Sequence, residues 1–119
     1  MQIEWHGRYT YSESEVKKLV MKKGGNYIIL VKLKNGNYRP IYVGKAECLE
    51  ERLLDHLSSD EPNECLLKHV KEHILVMQYC YIGNEEDRKN IEHTLYQNYT
   101  PECNEKEPDG KKITINFPF

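Results

Sequence analysis

The sequence predicts an α+β domain in which a small, three-stranded, mostly antiparallel sheet is flanked by helices. Three segments have the β-branched and aromatic composition of strands, and four others repeat apolar residues at helical spacing. Their order along the chain is α-β-β-α-α-β-α, which is typical of an α+β domain. The 119 residues, of which 39% are hydrophobic and 30% charged, fit one folded domain over 1–119.

The N-terminal elements begin with a helix over about 13–22. Ser12 and Glu15 stand three residues apart, as in a capping box. The strand that follows, 27–31, is rich in β-branched residues, and a second strand spans 41–44.

A hairpin should join these two strands, because Asn35-Gly36 is a strong turn signal. A tight two-residue turn there pairs Ile29 with Tyr42. Tyr27 and Tyr42 then become diagonal neighbours on one face of the sheet. A bulge near Pro40 would shift the register at that point.

The C-terminal half predicts three further helices and one strand. A leucine stripe marks the first helix, Asn63 can cap the second, and Asn84 can cap the last, which has acids in its first turn. The tail from Lys111 should be a short strand or a packed extension. The predicted elements are helix 47–57, helix 64–73, strand 74–82 and a helix running from Asn84 to about Tyr99.

Charge is polarised along the chain, although the net charge is only −2. Residues 16–46 contain no acid and carry +8, whereas residues 47–119 carry −8. This pattern indicates one basic face that can bind a polyanion such as nucleic acid, although a solvated lysine face without a ligand would look the same. The candidate nucleic-acid-binding residues are Lys17, Lys18, Lys22, Lys23, Lys32, Lys34 and Arg39.

Cysteine usage and hydropathy bear on the compartment. The four cysteines, at 48, 65, 80 and 103, form no C-x-x-C pair and match no common zinc spacing. We expect them to be structural thiols in a reducing compartment, which favours the cytoplasm. No apolar run approaches the roughly 20 residues of a membrane span, and the N-terminus lacks a signal-peptide layout.

Several polar residues fall where they can meet at one site. Arg52 and His56 are four residues apart, so they share a face of the predicted helix 47–57. Glu92 lies next to Ile91, which should be buried, so its carboxylate should sit close to packed structure. Taken singly, each of these residues would more often have a structural or surface role. Their occurrence together is what indicates a functional site.

These residues fall into motifs that resemble the GIY-YIG nuclease superfamily. The resemblance spans 24–104, about two-thirds of the chain. Its parts occur in the family's order and with plausible spacing. They are Gly25-Asn26-Tyr27, Tyr42-Val43-Gly44-Lys45, the helix 48–57 with its Arg, Glu92, and the closing Pro101-Glu102-Cys103-Asn104.

The resemblance implies divalent-metal-dependent hydrolysis of phosphodiester bonds. Tyr27 and Tyr42 would position or deprotonate the attacking water, Arg52 would stabilise the phosphate, and His56 would assist proton transfer. Because tyrosine has an ordinary pKa of about 10, a tyrosine base would need a nearby cation such as Lys45, or the metal's water, to favour the phenolate. Which tyrosine is the base stays open.

For the remaining residues, the resemblance implies that Glu92 holds one Mg²⁺ or Mn²⁺ ion, that Asn104 orders the site, and that Lys45 matches a basic position of repair-type members. Mg²⁺ commonly keeps waters and takes a substrate phosphate, so one carboxylate suffices.

DNA is the expected substrate and RNA remains an alternative. Residues 1–23 and 105–119 are too short to form a second DNA-binding domain. Selectivity would then come from the substrate's structure, a homodimer or a partner protein. The alternative function is a non-cleaving nucleic-acid-binding or protein-interaction module on the same scaffold.

Overall fold

The computed structural model describes all 119 residues and confirms the α+β class. Its sheet has four antiparallel strands in the order β1-β4-β2-β3. The elements are β1 (His6–Thr10), α1 (Glu13–Leu19), β2 (Gly25–Lys32), β3 (Tyr38–Ala46), α2 (Leu49–Leu57), α3 (Glu64–Glu72), β4 (Leu75–Tyr81) and α4 (Glu85–Tyr99).

The expectation of three strands is wrong, because β1 adds a fourth at the sheet edge. Four of its five residues are exposed, so it lacks the apolar alternation by which a half-buried strand is found. Its pairing with β4 is irregular between His6 and Tyr9. The strand is held by main-chain hydrogen bonds, which leave little trace in the sequence.

The predicted helix caps are confirmed. The side chains of Ser12, Asn63 and Asn84 each accept a backbone N–H three residues further on. Helix α1 is shorter than expected, because Val20 has already turned to extended backbone. Helix α4 ends at Tyr99, as predicted.

The hairpin register is confirmed on one side of a bulge and shifted on the other. Ile29 pairs with Tyr42 as predicted, but Leu30 pairs with Pro40, so one extra residue, Ile41, is accommodated in β3. The turn is longer than two residues: the N–H of Leu33 donates to the carbonyl of Asn37, 2.8 Å away. Gly36 takes the left-handed φ of 88° that closes such a three-residue loop.

Two apolar layers hold the helices on opposite faces of the sheet. One face carries Tyr27, Ile29 and Met77 against α1, α2 and α3. The other carries Ile28, Val43 and neighbouring residues against α4 and both chain termini. Strand β3 forms one edge of this sandwich, so residues from both faces can meet around it.

The expectation that all four cysteines are thiols is wrong for two of them. Cys65, in the first turn of α3, and Cys103 form a disulfide, whereas Cys48 and Cys80 are free. The pair is 38 residues apart, and only the tertiary fold brings its two segments together. Cys80 is the buried thiol that was expected, and burial raises its pKa to about 12.

The C-terminal tail packs as an extension and forms no strand. The Asn116 side chain accepts the N–H of Ile3 and donates to its carbonyl, and the Trp5 indole donates to the Asn116 carbonyl. Both termini therefore close the α4 face of the sheet. None of the helices is long and apolar enough to cross a lipid bilayer.

Candidate active site

A cavity of about 390 Å³ lies beside the edge strand β3. Four predicted site residues line it, with Glu61 as a further acid. Arg52 comes from α2 and Glu92 from α4, so side chains from both faces of the sheet converge around this edge. The four predicted residues are Tyr42, Arg52, Glu92 and Asn104.

Glu61, at the cavity wall, forms a hydrogen-bonded triad with His56 and Tyr27, which lie behind that wall. The Tyr27 hydroxyl lies 2.7 Å from His56 Nε2, and His56 Nδ1 lies 3.0 Å from Glu61 Oε2. All three residues are buried, with His56 fully enclosed. Helix α2 supplies the histidine, strand β2 the tyrosine, and the loop after α2 the glutamate.

The triad has one consistent arrangement of protons. An ionised carboxylate only accepts, so His56 Nδ1–H donates to Glu61. Burial lowers the pKa of His56, the Arg52 charge lowers it further, and Glu61 opposes both effects. The ring is therefore neutral at pH 7, and its Nε2 accepts the Tyr27 hydroxyl proton.

The two tyrosines differ in access to the cavity. Their ring centroids are 6.1 Å apart, which confirms the predicted diagonal placement. Tyr42 lines the cavity, whereas Tyr27 is 1% exposed and lies over Gly44. Burial raises the pKa of Tyr27 well above its usual value. Tyr42 is the tyrosine that a cavity-bound water can reach.

The cation beside the tyrosines is Arg52 and not Lys45. Burial raises the pKa of Tyr42, and the Arg52 charge is the main opposing effect. Lys45 points to the α4 side of β3, where its charge acts on Glu92. Arg52 is the cation whose charge opposes the rise in the pKa of both tyrosines, and the role expected for Lys45 stays a prediction.

Glu92 fits a hard divalent cation. It lines the cavity and forms no ion pair, and the backbone N–H of Lys45 is the hydrogen-bond donor that acts on its carboxylate. Burial raises the pKa of its carboxyl, and the charges of Lys45 and Arg52 partly offset that rise. A half-buried carboxylate in an open cavity that also holds the side chains of Tyr42 and Asn104 suits Mg²⁺ or Mn²⁺, which retain water ligands.

Asn104 braces β3 beside the cavity. Its Oδ1 accepts the Val43 N–H and its Nδ2 donates to the Val43 carbonyl, both at 3.0 Å. The side-chain amide thereby makes the two hydrogen bonds to Val43 that a residue of a neighbouring strand would make at this open edge of the sheet. Next to it, the Cys103 N–H donates to the carbonyl of the bulged Ile41, 2.7 Å away.

The basic residues predicted to bind nucleic acid are all exposed but do not form one cluster. Lys22 and Lys23 precede β2, whereas Lys32 ends it and Lys34 lies in the hairpin loop. Two charges are already paired: Lys17 with Glu13 at 2.7 Å, and Arg39 with Glu102 at 3.3 Å. The seventh residue, Lys18, lies on α1.

Glu61 is the site residue that the sequence analysis missed. It lies in an irregular loop, where no periodicity assigns a direction to a side chain. The available signal was its distance along the chain: Glu61 follows His56 by five residues, just after the helix that carries His56 ends at Leu57. That signal is weak, because nothing in the sequence shows that the loop folds back onto the helix.

Comparisons with known proteins agree with this geometry. The family model of the UvrC-like GIY-YIG domain matches residues 23–105. The chain is also similar to crystal structures of the GIY-YIG N-terminal endonuclease domain of UvrC from Thermotoga maritima, which are point mutants bound to the catalytic divalent cation.

Two of these structures have TM-scores of 0.59 and 0.56, each at 26% identity and covering 77% of this chain and 97% of the other. No curated protein matches the sequence significantly. The family match extends over more than half of the residues and includes both tyrosine motifs, Arg52, Glu92 and Asn104. The chain belongs to the UvrC-like GIY-YIG endonuclease family.

Proposed function

We propose that this domain hydrolyses phosphodiester bonds of DNA with one Mg²⁺ or Mn²⁺ ion, in repair or recombination. The observation that carries the proposal is the meeting of Tyr42, Arg52 and Glu92 in one cavity. These three groups are a water-binding hydroxyl, a phosphate-binding cation and a hard metal ligand. Together they meet the chemical needs of attack on a phosphodiester.

Tyr42 is proposed to contact the attacking water. Its hydroxyl oxygen accepts a hydrogen bond from the water and takes a proton as the water attacks. It passes its own hydroxyl proton to solvent in the open cavity. Its ring meets that of His56 edge-on, at 5.0 Å between centroids, so the buried triad sets its orientation.

Arg52 is proposed to hold the phosphate. Negative charge grows on the phosphate oxygens during attack, and a guanidinium at the cavity wall stabilises it more in the transition state than in the ground state. A cation bound by Glu92 would supply further positive charge to the same oxygens. His56 and Tyr27 act as positioning residues, because both His56 nitrogens are already engaged within the triad.

We further propose that residues 1–119 form a single nuclease domain, that the protein is located in the cytoplasm, and that a membrane is not among its binding partners. The expectation of a reducing compartment was based on four free thiols. Because Cys65 and Cys103 form a disulfide, only the free thiols Cys48 and Cys80 support it. Selectivity would come from the structure of the DNA, a second copy of the chain or a partner protein.

Cleavage of a mixed panel of plasmid, single-stranded, branched and flapped DNA tests the proposal. Wild type should cut with Mg²⁺ or Mn²⁺ and not with chelator. Glu92→Gln should lose at least 100-fold in rate while keeping DNA affinity, because it removes only the metal's carboxylate. Glu86→Gln, an exposed acid on the same helix, is the matched control and should cut like wild type.

Two results would contradict the proposal. Equal cutting by Glu92→Gln and wild type would remove Glu92 from the site. Binding of DNA without cutting under every metal and substrate would favour the non-cleaving module. RNA tested beside DNA in the same panel decides between the two nucleic acids.

A further inference from the structure

A second group of metal-binding side chains lies outside the cavity, where α3 meets the segment after α4. Ligand atoms of Cys65, His69 and Cys103 all lie within 4.8 Å of one another. Cys65 and His69 are four residues apart on α3 and share one face. The Cα atoms of the two cysteines are 5.3 Å apart.

The buried His69 is oriented as metal-binding histidines are. Its Nε2 lies 3.1 Å from a Glu102 carboxylate oxygen, and its Nδ1 lies 3.1 Å from Nδ1 of His73. The carboxylate only accepts, so Nε2 is the donor to Glu102. In the tautomer with its proton on Nε2, the Nδ1 lone pair of His69 accepts a hydrogen bond from His73 Nδ1–H, and a metal ion would take the place of that hydrogen. A carboxylate on the far nitrogen is the usual outer partner of a metal-bound histidine.

We propose that the reduced protein binds one Zn²⁺ through Cys65, Cys103, His69 and His73. Two sulfurs and two imidazole nitrogens are a common ligand set of tetrahedral structural zinc. With zinc–nitrogen distances of about 2.0–2.1 Å, tetrahedral geometry places two nitrogens about 3.3 Å apart. The 3.1 Å between the two Nδ1 atoms is already close to that value.

The ion and the disulfide compete for the same two sulfurs. A reductant such as a water-soluble phosphine converts the disulfide to two thiols, as the phosphine takes up the oxygen of water and becomes a phosphine oxide. Each thiol then releases one proton to solvent when its sulfur binds the ion. The two thiolates balance the 2+ charge, so the half-buried centre carries no net charge.

This centre differs from the cation site at Glu92 in chemistry and in place. Thiolate and imidazole select a soft or borderline ion, whereas Glu92 offers a hard oxygen. The Asn63 side chain joins the two segments, because it caps α3 and its Nδ2 donates to the Cys103 carbonyl at 2.8 Å. Bound zinc would therefore brace the segment that carries Asn104, without taking part in cleavage.

Cobalt(II) titration of the reduced full chain, after anaerobic removal of the phosphine, tests the proposal. We expect thiolate-to-cobalt charge-transfer bands with the visible bands of tetrahedral cobalt, saturating at one ion per chain. Adding Zn²⁺ to the cobalt-loaded protein should bleach the bands. Adding Zn²⁺ to the metal-free reduced protein should release about two protons per ion and raise Tm by about 10 °C at 100 times Kd.

Variants locate the site. Cys65→Ser and Cys103→Ser should abolish the bands, and His69→Gln and His73→Gln should each weaken binding at least tenfold. The free thiol Cys48 provides the matched control, Cys48→Ser, which should behave like wild type. Circular dichroism of the serine variants shows whether they remain folded, and the two histidine variants keep both thiols.

Three outcomes would overturn the proposal. Absence of thiolate bands in reduced wild type would leave the pair as a structural disulfide only. Bands that persist in both serine variants would place the ion elsewhere, and unchanged affinity in His73→Gln would remove the fourth ligand. Glu92→Gln should keep these bands whether or not it cuts DNA, so failure of the zinc site and failure of the nuclease assignment remain distinguishable.

Discussion

At the scale of single residues, Glu61 shows how much of a site can depend on one loop side chain. Its carboxylate accepts the His56 Nδ1–H and also the backbone N–H of Asn63. Glu61→Ala would leave a buried imidazole N–H without a partner, which costs about 1–3 kcal/mol of unfolding free energy. The variant should unfold at lower denaturant concentration and cut DNA more slowly.

The neighbouring Asp60 provides the control for that prediction. It is exposed, and its side chain makes no hydrogen bond. Asp60→Ala should therefore change the unfolding free energy by less than about 0.5 kcal/mol. Equal losses in the two variants would mean that the loop itself, and not the bond to His56, is what the Glu61 substitution disturbs.

The lowered pKa of His56 sets the direction of a pH dependence. The native ring binds a proton less readily than the unfolded ring, whose pKa is about 6.5. As pH falls below that value the unfolded state takes up the proton first, so His56 lowers the stability of the fold. Protonation of the native ring at still lower pH would also prevent Nε2 from accepting the Tyr27 hydroxyl.

We therefore expect Tm to decrease between pH 7.5 and pH 5.5, and the cutting rate to decrease towards the acid end of that range. Calorimetry and single-turnover cleavage over the range measure the two effects. In His56→Gln, which has no ring to protonate, the decrease in Tm should be smaller. The same decrease in wild type and His56→Gln would assign it to other groups.

At the scale of elements, the β2–β3 hairpin depends on the absence of one side chain. A Cβ at Gly44 would lie 2.3 Å from the hydroxyl oxygen of Tyr27, which pairs opposite it. Tyr27 is fully packed and bonded to His56, so its ring has no room to retreat. Gly44→Ala should cost about 1–3 kcal/mol by overpacking and should displace the triad.

Gly83→Ala is the matched control, because no atom lies within 4 Å of a Cβ at that loop position. The double variant Tyr27→Leu with Gly44→Ala should lose less unfolding free energy than the two single variants lose together, because replacing Tyr27 removes the clash with the methyl group introduced at position 44. Strict additivity of the two losses, measured by denaturant unfolding, would show that Gly44 has some other role.

Elements with a strong local pattern could be predicted from sequence, and those held by tertiary contacts could not. Helix α4 was found through Asn84 and its acidic first turn, and Tyr27 and Tyr42 through the pairing of their strands. Strand β1 has an exposed surface and so no apolar pattern. The Cys65–Cys103 pairing depends on loops whose paths the sequence does not specify.

At the scale of the whole molecule, the basic segment 16–46 is spread along the sheet. Strand β2 separates Lys22 and Lys23 from Lys32 and Lys34, and seven residue steps of about 3.3 Å give a separation of about 23 Å. With one base pair for every 3.4 Å or so of duplex, that distance corresponds to about 7 base pairs. A duplex that contacts the lysines at both ends of the strand must therefore be longer than this.

The dependence of DNA binding on salt concentration measures how many of these lysines contact phosphates. Each contact contributes about 0.9 to the slope of log K against log salt concentration. Lys22→Ala with Lys23→Ala, and Lys32→Ala with Lys34→Ala, should therefore each lower the slope by up to about 2 on a 20-base-pair duplex, measured with Ca²⁺ to prevent cutting. The exposed α3 residues Lys68 and Lys71, replaced together by alanine, should leave the slope unchanged. If only one lysine pair changes the slope, the DNA contacts that end of β2 and not the other. If neither pair changes it, these four lysines are solvated and do not contact the DNA.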